Sequence, residues 1–371
     1  MCDADAQVKE GGKTQQDKSM KPCLDQPKYK IGGGKRMSVR GRRVITLIQV
    51  AIVLVLCLAT MMSMVMFVSA GGSTAVSGKR CTLALVTKSL DNPFWEYMHR
   101  ATRQLAEERG FDLIYLAPTK PYNLEEQTRL VDDLIQKKVD GIVLVPVDSV
   151  GMVAAVKRAN AAGIPVACAN TRLEGAEIVT FTAVENYDGM KIVTEYMVEK
   201  LGRKGKIVIL EGEPGSQTAI DIARAQRDVI SKYPEIELLA SQPTYFSRAK
   251  ALEVMENLLQ TYPKIDAVLC ADDQVALGAL EALEAAGRLT GVLVSGWDAT
   301  ADAIRAVMEG RLTVTCDQRP EAQATLAAEA ILDYLVGKEV DKKPYIEATL
   351  VDKSNVDDYK WRLEGQDRPD S

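Results

Sequence analysis

The chain has 371 residues, enough for two ordinary domains and a tail, and its 5% aromatic content within 47% hydrophobic residues suits helices alternating with parallel strands. The formal charge of −5 hides a split, because the first 43 residues carry 11 Lys/Arg against 5 Asp/Glu and leave everything after them strongly acidic. A net acidic globular part argues against nucleic acid as a partner.

Gly, Lys, Gln and Pro dominate residues 1–36, which predicts a disordered basic cytoplasmic tail running to residue 43. From Val44 to Ala70 the chain is uncharged and largely apolar. At about 1.5 Å per helical residue it is long enough for a hydrocarbon core of about 30 Å. Seven Lys/Arg between Lys28 and Arg43 precede it, so the positive-inside rule keeps the N-terminus in the cytoplasm and exports the rest. Val68-Ser69-Ala70 offers the small residues that signal peptidase reads, yet the run is long for a signal peptide. Cleavage and a permanent anchor both stay open, and a start at Met37 would make the segment an ordinary signal peptide. Arg42-Arg43 in GRRVIT is a poor twin-arginine match and reads as a charged flank.

After a linker at 71–80, short apolar runs alternate with amphipathic segments of helical period. The predicted strands are TLALVT (82–87), DLIYLA (112–117), GIVLVPV (141–147), PVACA (165–169), IVTFTAV (178–184), KIVILEG (206–212), IELLASQ (236–242), IDAVLCA (265–271), VLVSGWD (292–298) and LTVTCDQ (312–318). Strands apolar on both faces belong to a parallel sheet covered by helices on each side. Ten of them exceed one comfortable sheet, and a break near Ala183–Asn186 divides them evenly into two doubly wound, Rossmann-like lobes. Ligands of such folds bind beyond the carboxyl ends of the strands. Those ends are Lys88–Trp95, Asn170–Arg172, Gly212–Gln217, Phe246, Ala271–Gln274, Trp297-Asp298 and Asp317-Gln318.

Asp91-Asn92-Pro93-Phe94-Trp95 opens a helix, with Asn92 or Asp91 as N-cap and Pro93 at its first position. Adjacent aromatics differ by about 100° in azimuth on a helix, so at least one of Phe94 and Trp95 points toward the strand ends. Aromatic faces stack on the C–H faces of sugar rings, and Phe246 is placed to supply an opposing face. Seven cysteines, scattered without metal-ligand spacing, predict no zinc site; Cys81, Cys168, Cys270 and Cys316 read as small buried hydrophobes. KIVILEGEPGSQ lacks the residues of a phosphate loop, and His99, the only histidine, reads as a solvated side chain.

DNPFWEYM, SQPTYFSRAKALEVMENLL, AVLCADDQVALGALEAL, VSGWDAT and TVTCDQRP together resemble the ribose-binding branch of the periplasmic sugar-binding family, over nearly everything from Arg80 to Val351. The resemblance implies two lobes joined by a three-strand hinge: residues 81–183 with 319–347, and 184–318 with 348–363. It also implies a receptor that hands a sugar or polyol to an ABC transporter permease, with a chemoreceptor or sensor kinase as further possible partners. Carried over by motif, its sugar contacts fall on Asn92, Phe94, Trp95, Phe246, Asp298 and Gln318. Asp298 accepts from hydroxyls, while the amides of Asn92 and Gln318 serve either role.

The sequence departs from that pattern where the family has Asp-Arg and this chain has Asn170-Thr171, with Arg172 one place later. Ile220 and Ile222 stand where an arginine is expected, and Asp272 replaces an asparagine. A more acidic cleft follows, and a buried carboxylate needs a partner: a cation or extra hydroxyl on the ligand, or Arg172 swinging in. Asn170, Thr171, Arg172 and Asp272 therefore join the candidate site, whereas Asp273 reads as the helix N-cap. Trp95 and Asp298 are expected to face an open cleft and not the core. A neutral sugar is the first expectation, and an amino sugar, another amine or a furanose-like signal molecule the second.

The expected protein is a monomeric, extracytoplasmic α/β solute receptor preceded by a transmembrane or signal helix, without cofactor, metal or catalytic residues. A membrane-anchored sensory receptor is the alternative. An enzyme would need a nucleophile with its base, a metal cluster or a cofactor fingerprint, none of which the sequence displays.

Overall fold

The structure, a computed structural model, describes residues 80–366 and Arg368. The predicted tail and apolar segment 44–70 lie outside the described residues, and among those described no helix is long and apolar enough to cross a membrane.

The first half runs β1 (Thr82–Val86), α1 (Pro93–Arg109), β2 (Asp112–Leu116), α2 (Leu124–Lys137), β3 (Gly141–Leu144), α3 (Val153–Ala161), β4 (Val166–Ala169) and β5 (Phe181–Val184). The second continues with α4 (Asn186–Lys200), β6 (Gly205–Glu211), α5 (Gln217–Ile230), β7 (Ile236–Pro243), α6 (Arg248–Thr261), β8 (Ala267–Cys270), α7 (Asp273–Ala285), β9 (Leu293–Ser295), α8 (Ala301–Glu309) and β10 (Val314–Asp317). The chain closes with α9 (Pro320–Leu335), β11 (Tyr345–Ile346), β12 (Thr349–Asp352), a 3-10 turn at Val356–Tyr359 and the short α10 (Lys360–Leu363).

Two six-stranded sheets result, ordered β2-β1-β3-β4-β5-β11 and β7-β6-β8-β9-β10-β12. Side chains alternate across each strand, so every strand feeds two cores. Leu83 and Leu85 pack with Phe94 and Met98 of α1 and Ala327 and Ile331 of α9, while Ala84 and Val86 face Leu134 of α2 and Val156 of α3. In the second sheet Val208 and Leu210 turn to α6, α7 and α8, and Ile207 and Ile209 to Met197 of α4 and Val229 of α5. The chain passes between the sheets three times, from β5 into α4, from β10 into α9 and from β11 into β12.

All ten predicted strands are present, several of them shorter at the carboxyl end than expected, because residues such as Trp297 and Asp298 leave the ladder to line the space between the lobes. β11 and β12 were not predicted, being too short to show a period. β12 runs antiparallel to β10, so the second sheet is not wholly parallel. Cys168, Cys270 and Cys316 are buried with free thiols, and Cys81 is half-buried. His99 is not simply solvated: its ring stacks on Tyr115 with centroids 4.0 Å apart and contacts Glu96 at 3.2 Å.

The α6–α7 contact is close enough to exclude one methyl group, since a Cβ on Gly278 would lie 2.2 Å from the carbonyl oxygen of Arg248. Gly278→Ala is therefore expected to cost about 1–3 kcal/mol through overpacking against backbone. A thermal melt followed by circular dichroism should fall by several degrees.

Candidate functional site

The lobes meet at the carboxyl ends of the strands across a narrow cavity, closed down to about 30 Å³ of free space. Asn92 caps α1, its Oδ1 accepting from the Phe94 amide at 3.0 Å, and this bond aims Nδ2 across the gap at Asp272 Oδ2, 3.4 Å away. Pro93 directs the helix so that Phe94 and Trp95 both reach the cavity, edge to face with centroids 4.9 Å apart. Both are also core residues, and Trp95 is only 4% exposed. The expectation that Trp95 faces an open cleft and not the core is thus corrected: the helix start that offers one ring edge to the cavity seats the rest of the ring among Leu85 and Met98.

From the other lobe, Asp272 is the N-cap of α7, with Oδ1 accepting from Val275 N at 2.8 Å. Asp273, expected in that role, instead turns inward and accepts from Thr315 Oγ1 at 2.6 Å, Thr300 N at 2.7 Å and Thr300 Oγ1 at 3.0 Å, tying the ends of β8, β9 and β10 together. Burial raises its pKa to about 6, against the pull of those donors. Asp298 occupies a backbone conformation with φ 127, sparsely populated for residues other than glycine, and holds it through its amide to Cys316 O at 2.8 Å. Its Oδ1 accepts from Gln318 Nε2, and Gln318 Oε1 accepts from Asn170 Nδ2 at 3.4 Å. Burial pushes both Asp272 and Asp298 well above the usual carboxylate range, and neighbouring aspartates push them further.

Phe246 closes one wall, its ring so near Gly212 that a Cβ there would lie 2.2 Å from the ring, and stacks on Tyr122 of the other lobe with centroids 5.8 Å apart. The Tyr122 phenol is held protonated by burial and by Asp272, Asp91 and Asp298. Ser149 bridges the cavity mouth: its amide donates to Gly215 O at 3.3 Å and its Oγ accepts from Gln217 N, the first amide of α5, at 3.2 Å.

At the centre sits Lys88, which follows β1 and is 2% exposed. Its Nζ donates to Thr171 Oγ1 at 2.7 Å, reaches Ser216 Oγ of the other lobe at 3.5 Å, and lies 5.6 Å and 5.9 Å from the ring centroids of Trp95 and Phe246. Burial lowers its pKa to about 7, while Glu213, Asp298 and Asp272 hold the proton on.

Of the ten residues singled out from sequence, eight line this cavity: Asn92, Phe94, Trp95, Asn170, Phe246, Asp272, Asp298 and Gln318. Thr171 stands one layer behind, its hydroxyl 3.0 Å from that of Thr218 and bonded to Lys88. Arg172 does not enter; it is exposed and paired with Glu174 at 3.1 Å, because the left-handed turn at Asn170 (φ 61) directs the chain outward. Ile222 lines the cavity where an arginine was expected, and Ile220 is exposed. Sequence reasoning placed Lys88 and Trp297 at strand ends without giving them a role in the site, and it missed Tyr122 and Thr218 as lining residues. Lys88 had a visible signal, a charge directly after an apolar strand. Tyr122 had none, since it arrives from the loop after the edge strand β2. Among the described residues no group of His, Cys, Asp and Glu is arranged to hold a metal. The arrangement presents ring faces and hydroxyl-directed polar groups, and it suits binding of a small polyhydroxylated solute.

A family model for the periplasmic binding protein domain matches residues 83–339. The chain is 34% identical to a ribose import binding protein of Bacillus subtilis over 270 residues, 73% of this chain and 87% of the relative. It is 33% identical to that of Escherichia coli over 296 residues, 80% of this chain and 98% of the relative. Among solved structures, a periplasmic solute binding protein from Actinobacillus succinogenes with bound D-allose superposes with a TM-score of 0.72 at 31% identity, covering 76% of this chain and all of the other. A solute binding protein from Bacillus halodurans with bound myo-inositol gives 0.71 at 29% identity, covering 78% and 100%.

Lys88 imposes a pH dependence whose sign follows from its lowered pKa. Between about 7 in the fold and the ordinary 10.5, the unfolded chain binds the proton and the folded one does not, so the Lys88 contribution to stability rises with pH across that window. Asp272 and Asp298, raised above 3.8, act oppositely, and their contribution falls as pH rises through that value. Melting curves of wild type and Lys88→Met should therefore show the wild type gaining on the variant as pH is raised from about 7 toward 10.5. A difference independent of pH would show that Lys88 does not titrate in the cavity.

Proposed function

Because the chain belongs to the periplasmic binding proteins, we propose that it captures a neutral monosaccharide or related polyol between its lobes, outside the cytoplasmic membrane, and delivers it to an ABC importer. It is a binding protein and not an enzyme, as are the relatives with which it aligns. The observation that carries the reading is Lys88. Its amine already lines the cavity beside the cleft acids, bonded to Thr171, and this supports a neutral ligand over one that brings a second amine.

Each group has a role in this reading. Trp95 and Phe246 offer faces to a sugar ring, and Asp298 accepts from ligand hydroxyls. Asn92, Asn170 and Gln318 donate or accept as the ring requires. Lys88 donates to a ring or hydroxyl oxygen from an Nζ already held in place by Thr171. Contacts drawn from both lobes make the bound solute favour the closed arrangement, the hinge motion for which periplasmic binding proteins are the standard illustration. Relatives bear names of ribose import proteins, but Ile222 gives this cavity an apolar wall where arginine was expected, so free ribose is expected to bind weakly. The N-terminal basic cluster and segment 44–70 supply export or anchoring in this proposal.

About three quarters of the chain covers the D-allose-bound relative end to end, so residues 79–371 form a folding unit that can be tested alone. A panel of aldopentoses, aldohexoses, inositols and amines should contain a neutral member that raises its melting temperature. At about a hundred times its dissociation constant such a solute adds about 2.7 kcal/mol. Asp298→Asn and Phe246→Ala should remove most of that shift. Trp95→Ala should remove it too, while also lowering the unliganded melt, given its packing in the core. A panel in which only amines stabilise would overturn the neutral-sugar reading.

A further inference from the structure

The second hinge crossing, from β10 to α9, is two residues long, Gln318 and Arg319, with Pro320 opening the helix. It is flanked by one acid in each lobe, Asp317 at the end of β10 and Glu321 in the first turn of α9. The Asp317 side chain is fully buried and that of Glu321 nearly so. Asp317 Oδ1 already accepts from Arg319 N at 2.8 Å, holding the left-handed turn at Arg319 (φ 53).

Two arginines of the C-terminal segment occupy both acids. Arg362, with no exposed side-chain surface, donates through Nη1 to Glu321 Oε1 at 2.6 Å and through Nη2 to Glu321 Oε2 at 3.3 Å and Asp317 Oδ1 at 3.4 Å. Arg368 pairs with Asp317 Oδ2. The guanidinium of Arg362 lies 4.0 Å from the ring centroid of Tyr97 on α1 and 4.4 Å from that of Trp361.

The segment itself belongs to the second lobe, where Val356, Tyr359 and Trp361 are packed with Ala303, Ile304 and Val307 of α8. Yet it is gripped by the first lobe, since Arg100 of α1 donates to the carbonyls of Gly365 at 2.9 Å and Gln366 at 3.0 Å. Tyr97 adds a contact in the same place, its hydroxyl accepting from Ala301 N of α8 at 3.1 Å.

We propose that the C-terminal segment from Tyr359 to Arg368 is a splint across the hinge, and that Arg362 and Arg368 are positioning residues for the crossing that carries Gln318 into the cavity. The two acids bracket Gln318 and Arg319, which must rotate for the lobes to part, and Pro320, which opens α9. One guanidinium bonded to both acids fixes their separation, and a fork bonded at two points resists rotation more than a single point charge does. Parting the lobes around this crossing strains a charge cluster shut away from water, where an unpaired charge is costly. The splint therefore narrows the range of opening of the unliganded protein and holds the backbone from which Gln318 meets Asp298 and Asn170.

The role of Gln318 rests on the sugar-binding reading, whereas the restraint on the lobes does not, so the test is made without any solute. Small-angle scattering compares residues 79–371 with the same fragment ending at Glu364, which loses Arg368 and the two carbonyls held by Arg100. A second variant, Arg100→Ala with Arg362→Gln and Arg368→Gln in the full fragment, removes these bonds together with those of Arg362 to both acids and keeps the segment. Both are expected to show a radius of gyration larger than wild type, with both lobes still folded by circular dichroism. An unchanged radius in both variants overturns the splint, and so does loss of a folded lobe in both, which would make the segment part of a core. Because no solute is present, either outcome leaves the sugar reading standing or falling on its own panel.

Discussion

A lysine amine shut between two lobes is the constraint around which the rest of the site is arranged. Water cannot solvate Lys88, so the protein must, and it draws on both halves: the Thr171 hydroxyl from the first lobe, the Ser216 hydroxyl and the Glu213 charge from the second, aromatic faces on either side. Those partners come together only when the lobes are close. Asp272 and Asp298, whose carboxyls burial pushes well above the usual range, help to hold the proton on the same residue, which ties the electrostatics of the cavity to the geometry of closure.

Much of the architecture was legible because its signals are local and repeated. Ten apolar runs separated by amphipathic segments point to parallel sheets, and the strand ends then locate the cavity before any side chain is examined. Asn92, Asp298 and Gln318 were readable because each lies in a distinctive motif between a strand and the helix that follows it. What escaped depended on contacts distant in sequence. Tyr122 reaches the cavity from an edge-strand loop, and its stacking on Phe246 joins residues of different lobes. Arg172 was misplaced by one backbone angle, the left-handed turn at Asn170, which no composition or period reveals. Asp272 keeps its expected place in the cavity and also takes the capping part expected of Asp273, because two adjacent acids at a helix start are equivalent in sequence and separate only when Thr300 and Thr315 claim one of them.

The same limit explains why β11 and β12 were missed. Two and four residues are too few to show alternation, yet these strands complete both sheets and carry the third passage between lobes. The C-terminal segment beyond them has the composition of a solvated tail. Its arginines matter because of where Asp317 and Glu321 stand, and that placement arises from the fold of the preceding lobes.

The bond between Ser149 and the first amide of α5 gives closure an outward expression. α5 has no side-chain cap of its own: Ser216 holds the capping position without making the bond, and the acceptor for Gln217 N comes from the opposite lobe. An α-helix begins with amides that its own backbone cannot satisfy, so the ordering of this first turn is shared between the lobes. When they part, that amide is left to water and the turn loosens. Exposed Ile220 sits on the same turn, so the texture of the outer surface, firm or frayed, carries news of what the interior holds.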